Sequence, residues 1–422
     1  MPALGAAPRP TKAQSRSRAV MDKTPQTGPG ARRAEFVLGD TVYLNGNSLG
    51  PLPKRSQARI REVVDAQWGA DISRSWNVHD WINLAQRVGD RIGGLTGAGP
   101  GQIVVGDSTS VCLFKLAAAA LLHGKGSCIL TDSGNFPTDL YVLQGLTRLF
   151  DGKFHVRREP AERILTALGT DTALLVLTHV DYKTSAMYDM REVTAAAHAN
   201  GALVLWDLSH STGAVPVQLD ADDVDFAVGC TYKYLNGGPG APAFSFVARR
   251  LQEVVQPVMT GWMGHRDPFT FSGDFVPAAG IRRTSVGTPE VLALSVLDAS
   301  LDLFESTGMD RIREQSLQLS ELFVELVDRH CAGLGLSLAS PRDARRRGSQ
   351  VSLTHEQGYA IVQALSARGI IGDFRAPDLI RFGFAPLYQT LDDVRVTVAA
   401  LQEIIAGRQW DRQEYRQRSF VT

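Results

Sequence analysis

From residue 107 onward, short apolar runs alternate with longer amphipathic ones. Residues 110–122, rich in Ala and Leu and opened by the polar run DSTS at 107–110, predict a helix. Residues 127–131 (SCILT), 174–178 (LLVLT), 203–206 and 224–228 are short and apolar on both sides. That pattern predicts strands buried on both faces. Between them, residues 189–200 fit a helix stopped by Gly201 just past its C-cap. Alternation of this kind predicts an α/β fold, a parallel sheet covered by helices. Ligands of such sheets bind just beyond the carboxyl ends of the strands. Asp107, Thr178, Asp207 and Lys233 all fall at or just after such ends.

Beyond Gly287-Thr288-Pro289 the pattern changes. Helices are expected to about residue 306 and over 311–329, a strand at 350–353 and a helix over 355–367. Residues 379–384 (LIRFGF) alternate like a strand that carries Arg381, and 391–405 read as a closing helix. The final third therefore predicts a smaller α+β domain. The expected division is a disordered tail over 1–33 and a segment at 34–84 that packs with the small domain or at the interface. A large domain over 85–300 and a small one over 301–422 complete it.

Composition narrows the function classes. The 422 residues suffice for two or three domains, and 44% hydrophobic content is ordinary for a globular chain. Formal net charge is zero, so there is no electrostatic footprint for nucleic acid. Arg345 to Arg347 read as a solvated loop. Cys112, Cys128, Cys230 and Cys331 lie far apart without a CxxC pair, which argues against zinc and for a reducing, cytoplasmic setting. No run reaches the ~18 apolar residues of a membrane span, and the first 33 residues lack a signal-peptide core.

Within this frame Lys233 stands out. It follows the apolar run 224–228 and precedes the glycine-rich GGPG at 237–240. A lysine held there and desolvated can lose its proton and attack an aldehyde. Asp207 ends another strand 26 positions earlier, with His210 on the same turn. A carboxylate and a lysine so placed are the pair that pyridoxal phosphate requires, one at the ring nitrogen and one at the aldehyde. The DSTS run supplies a helix N-terminus and the hydroxyls of Thr109 and Ser110 for a phosphate. Phe136 is a candidate stacking ring, Tyr232 a phosphate or carbonyl partner, Trp262 an indole donor and Arg381 a carboxylate clamp. Asn47 and Ser48 lie in a glycine-rich loop. Taken singly, each has a plainer reading: a turn cap for Asp207, an ordinary N-cap for DSTS, a core aromatic for Tyr232, a surface arginine for Arg381.

Together the stretches YLNGNSLG (43–50), NFPTDLY (135–141), WDLSHSTGAVPV (206–217), GCTYKYLNGGPGAPAF (229–244), GWMGHRDPF (261–269), GIRRTSVGTP (280–289) and RFGFAPLY (381–388) resemble the kynureninase family of fold-type I pyridoxal-phosphate enzymes. The resemblance implies a mainly parallel seven-stranded sheet between helices, plus the smaller α+β domain. It implies pyridoxal 5'-phosphate as cofactor and L-kynurenine, or 3-hydroxy-L-kynurenine, as an amino-acid substrate. By position, Lys233 resembles the Schiff-base lysine and later base, and Asp207 the partner of the pyridine nitrogen with His210 beside it. Phe136 resembles the stacking ring, with Asp139 in the same loop. Thr109, Ser110 and Tyr232 resemble phosphate ligands, and Tyr232 is also the candidate acid–base group. Thr178 and Thr288 match further cofactor contacts. Trp262 resembles a phosphate donor from the partner subunit, which implies a homodimer with a shared site. Arg381 resembles the substrate carboxylate clamp, Ser48 a substrate contact, and Trp76 a wall of the aromatic pocket. The family often carries Asp where this chain has Asn45.

Two alternatives remain: another enzyme of the same fold, a class V aminotransferase or a cysteine desulfurase, and a catalytically inactive relative kept for binding. A desulfurase needs a reactive cysteine on a mobile loop, which neither Cys230 nor Cys331 readily supplies. An inactive copy has no chemical need for Lys233, Asp207, Tyr232 and Arg381 together.

Overall fold

A computed structural model describes residues 28–418. Thirteen strands appear among them. β1 is Val42–Tyr43. The large sheet is built from β2 (Ile103–Val105), β3 (Cys128–Asp132), β4 (His155–Glu159), β5 (Thr172–Thr178), β6 (Leu203–Asp207), β7 (Phe226–Gly229) and β8 (Phe244–Val247). The small domain adds β9 (Ser337–Leu338), β10 (Gln350–Thr354), β11 (Ile370–Ile371), β12 (Asp373–Arg375) and β13 (Leu379–Gly383).

The large sheet has seven strands in the order β2-β8-β7-β6-β5-β3-β4. β3, β4, β5, β6 and β7 pair in parallel, and β8 runs antiparallel to both neighbours. The interior strand β5, TALLVLT, is buried at every position. Helices cover both faces of such a strand, so no polar alternation survives in it. β4, HVRRE, is an edge strand with no buried residue, and its polar sequence hid it from the apolar pattern.

Two cores result. One surrounds the large sheet and includes Phe36, Trp206 and Phe304. The other lies in the small domain beneath the four-stranded sheet β12-β13-β10-β9 and includes Leu44, Phe323 and Phe382. The helix Met309–His330 spans both, with Ile312 in the first core and Leu319 and Phe323 in the second. The segment before the large sheet also reaches the small domain: β1 pairs in parallel with β11.

The tail expected over residues 1–33 falls, for residues 1–27, outside the described residues. Its end is not loose. The Gly30 N–H donates to Pro386 O at 2.7 Å, and Arg33 forms an ion pair with Asp393 at 3.2 Å. Among the described residues no helix is long and apolar enough to cross a membrane.

Candidate active site

The carboxyl ends of β5 and β6 bring Thr178 and Asp207 side by side in register. Asp207 is 3% exposed, and its Oδ1 accepts the Ser209 N–H at 2.7 Å. Asp139, in the first turn of the helix Pro137–Leu149, is also buried. The Thr178 hydroxyl lies 3.4 Å from Asp139 Oδ2 and bonds more tightly to Asn135 Oδ1. Burial pushes both carboxyls above the ordinary range. For Asp139 the neighbouring Asp207 charge adds to burial, while the Lys233 charge opposes both. Two carboxyls buried together therefore favour any cation brought between them.

Lys233 follows β7 and points back toward the same strand ends. Its Nζ is 3.0 Å from His210 Nε2. Burial, then the charges of Lys233, Arg381 and Arg375, hold His210 well below the ordinary histidine range, so it is a neutral imidazole. Phe136 and Tyr232 flank the amine, with ring centroids 6.0 and 5.8 Å from Nζ. Burial, then Cys230, pushes the Tyr232 hydroxyl far up, so it stays a proton donor at any working pH.

A cavity of about 430 Å³ opens above Lys233, lined among others by Ser108, Thr109, Ser110, Phe136, Tyr232 and Glu290. It meets the N-terminus of the helix Thr109–His123, which Ser108 caps by accepting the Val111 N–H at 3.4 Å. The first N–H groups of a helix have no intrahelical acceptor, so this end suits an anion. The cavity thus offers an anion site at one side and a lysine amine at the other, with a buried carboxylate at Asp207 behind the amine. Pyridoxal phosphate presents matching groups: phosphate, aldehyde and ring nitrogen. The residues present fit it.

The loop 45–50 closes over the lysine. The Gly50 N–H donates to Tyr232 O at 2.8 Å, and a Cβ at Gly50 would lie 2.2 Å from Lys233 O. Only glycine permits that approach. Asn47 donates to Gln350 Oε1 at 2.9 Å, and Ser48 is half-buried in the same loop. On β13, Arg381 is 1% exposed. Its Nε donates to Asp373 Oδ1 at 2.6 Å, a second nitrogen pairs with Asp373 Oδ2, and a third donates to Tyr182 O. Arg381 is thus a buried cation, not a surface one.

Trp262, Thr288 and Trp76 stand apart. Among the described residues no hydrogen bond, ion pair or ring contact joins any of them to Lys233. Trp262 is 37% exposed and packs against Phe269 and Phe271. Thr288 is exposed and lines a cavity of about 250 Å³ that shares Asp107 and Glu290 with the one above Lys233. Trp76, expected at an aromatic pocket, packs edge-on against Trp81 with centroids 5.9 Å apart.

Sequence reasoning did not single out Tyr182, Asp373, Arg375 or Gln350. Gln350 bonds to Asn47 and to Tyr182 O, and Asp373 to Arg381. Their signal is cross-strand: Asp373 faces Arg381 in the β12–β13 register. Spacing also missed Cys128, His155 and Asp171, whose ligand atoms lie within 4.8 Å of one another at the opposite end of the large sheet.

Comparison with known proteins follows the same lines. Residues 312–401 match the family model of the kynureninase C-terminal domain. A kynureninase of Burkholderia pseudomallei is 45% identical over 398 residues, covering 92% of this chain and 95% of the relative. A kynureninase of Deinococcus radiodurans is 47% identical over 380 residues, covering 89% and 92%. Among solved structures, the apo cysteine desulfurase of Thermococcus onnurineus superposes with a TM-score of 0.76 at 19% identity, covering 90% of this chain and 99% of that one. A C-DES variant with glycine covalently linked to its pyridoxal-phosphate cofactor gives 0.76 at 20% identity, covering 88% and 99%. At that identity the likeness to desulfurases shows the fold alone. All four cysteines here are buried.

Proposed function

The chain belongs to the kynureninase family, and on that premise we propose that it hydrolyses L-kynurenine to anthranilate and L-alanine. It is a pyridoxal-phosphate-dependent hydrolase. 3-Hydroxy-L-kynurenine, giving 3-hydroxyanthranilate, is the neighbouring substrate. The observation that carries the residue assignment is the Lys233 amine held 3.0 Å from a neutral His210, with buried Asp207 on the adjoining strand end.

In this reading Lys233 holds the aldehyde of the cofactor and Asp207 its ring nitrogen. His210 and Thr178 fill the space beside that carboxylate. Phe136 covers the ring, with Asp139 behind it. Thr109 and Ser110 take the phosphate, with Tyr232 beside it. Bound pyridoxal phosphate supplies an electron sink for carbanions next to the substrate amine. Everything else falls to the chain. Arg381 orients the substrate carboxylate, and Ser48 shapes the side-chain pocket. Lys233, freed by the substrate amine, takes the proton from the α-carbon through Nζ. Tyr232, protonated throughout, donates to the side-chain carbonyl while water adds there. The adjoining carbon–carbon bond then breaks, the aromatic part leaves as a carboxylic acid, and the alanyl part takes a proton.

Trp262 fits this reading as a contribution from a second copy, with Thr288 in a cofactor loop, so the working unit is a homodimer with shared sites. The cytoplasm is the compartment that suits four unpaired cysteines. Borohydride reduction of the holoenzyme followed by peptide mapping tests the cofactor assignment. Modification of Lys233 supports it, and modification of another lysine overturns it.

A further inference from the structure

Asp373 is 2% exposed and lies between two arginines. It accepts from Arg381 through both oxygens, and Arg375 reaches its Oδ2 at 3.0 Å. Asp373 faces Arg381 across β12 and β13, and Arg375 lies two residues along β12 from Asp373, opposite Leu379. A guanidinium has five N–H bonds in a planar fork. Asp373 and Tyr182 O consume one on each of the three Arg381 nitrogens. Two remain, one on each terminal nitrogen. Charge is consumed as well, because Asp373 cancels Arg381. A substrate carboxylate meeting only that pair would meet no net charge.

Arg375 restores it. Two guanidiniums and one carboxylate leave one net positive charge, which matches a single carboxylate. Arg375 is also the member with access: its side chain is 36% exposed, against 1% for Arg381. His210, in contact with Lys233, feels Arg375 as well as Arg381, and Arg375 in turn feels Tyr182. Tyr182 packs edge-on against Phe136 at 5.1 Å, so this corner adjoins the proposed cofactor ring.

We infer that Arg375 is a substrate-binding residue, the accessible half of a two-arginine carboxylate clamp in which Asp373 is the positioning residue that fixes both guanidiniums. The inference rests on the reading of Arg381 as the carboxylate clamp. It assigns Arg381 the direction of the fork and Arg375 the net charge.

The test uses holoenzyme and the variants Arg375→Gln, Arg375→Lys and Arg381→Gln. Each is assayed with L-kynurenine and titrated, by cofactor absorbance, with decarboxylated kynurenine. Loss of one charge-assisted contact should raise KM for kynurenine about 10- to 100-fold in Arg375→Gln, with kcat within about threefold. Affinity for the decarboxylated probe should not change. Arg375→Lys keeps the charge and should recover part of the KM, which guards against a folding defect in the glutamine variant. An unchanged KM in Arg375→Gln, with a raised KM in Arg381→Gln, overturns the role of Arg375 and leaves the clamp standing. An unchanged KM in both variants overturns the clamp itself. Equal weakening toward both ligands in Arg375→Gln, unrelieved in Arg375→Lys, assigns Arg375 a structural part and also overturns the inference.

Discussion

The bed around Lys233 and the corner around Arg381 both gather buried charged groups, yet they are built on opposite principles. The bed gathers single residues from the ends of separate parallel strands, Thr178 from β5 and Asp207 from β6, with Lys233 just past β7. Its ionisable groups are left partly unmatched: Asp139 and Asp207 share a pocket, and His210 is neutral. Such unmatched groups are poised for a bound cation or a mobile proton. At the corner Asp373 holds Arg381 and is reached by Arg375, so one carboxylate fixes two guanidiniums and one positive charge is left over. One region is arranged to change protonation, and the other to keep a geometry.

The comparison breaks most sharply at Lys233. Lys233→Ala should lower kcat by more than about 10³-fold, since it removes both the anchor and the base. Single-turnover anthranilate release checks it. Arg381→Gln should act differently, raising KM for kynurenine more than it lowers kcat, because it removes a binding group present in ground and transition states alike. Steady-state kinetics on the same preparation separates the two patterns.

The seam between the regions gives a smaller effect. A Cβ on Gly383 would come within 2.3 Å of Asn47 Oδ1 and 2.8 Å of its Cγ. Gly383→Ala should displace loop 45–50 and cost about 1–3 kcal/mol, read by thermal unfolding of the holoenzyme. The smallest effect lies far from both regions. His198 is held above its ordinary value of 6.5, chiefly by its bond to Asp225. A raised histidine stabilises the fold fully below the unfolded value and loses that contribution as pH rises through the folded one. His198→Gln should therefore be less stable than the parent below about pH 6.5, with the gap closing toward alkaline pH. Denaturation curves across that range would show it, and solvent screening of the half-buried imidazole keeps the gap within about 1 kcal/mol.

These regions were unequally legible in the sequence. Strand ends in a parallel sheet converge by topology, so Asp207 and Lys233 announce themselves through the apolar runs that precede them. The DSTS run likewise marks a helix start without tertiary information. Asp373 and Arg381 meet only because β12 and β13 pair in one register. Asp373 carries no local signal, and the alternation around Arg381 fits either face of a strand. β4 was hidden for a related reason, since an edge strand that buries no residue has no apolar pattern to read. The close approach of Gly50 to Lys233 O depends on residues far apart in the chain, so the glycine-rich loop could be seen but not its purpose.

Incubation of the holoenzyme with L-kynurenine, followed by anthranilate fluorescence, tests the central claim most directly. The account predicts anthranilate in step with L-alanine from the parent and none above background from Lys233→Ala. Cofactor bound to the parent with no anthranilate formed, or equal anthranilate from both proteins, would contradict it.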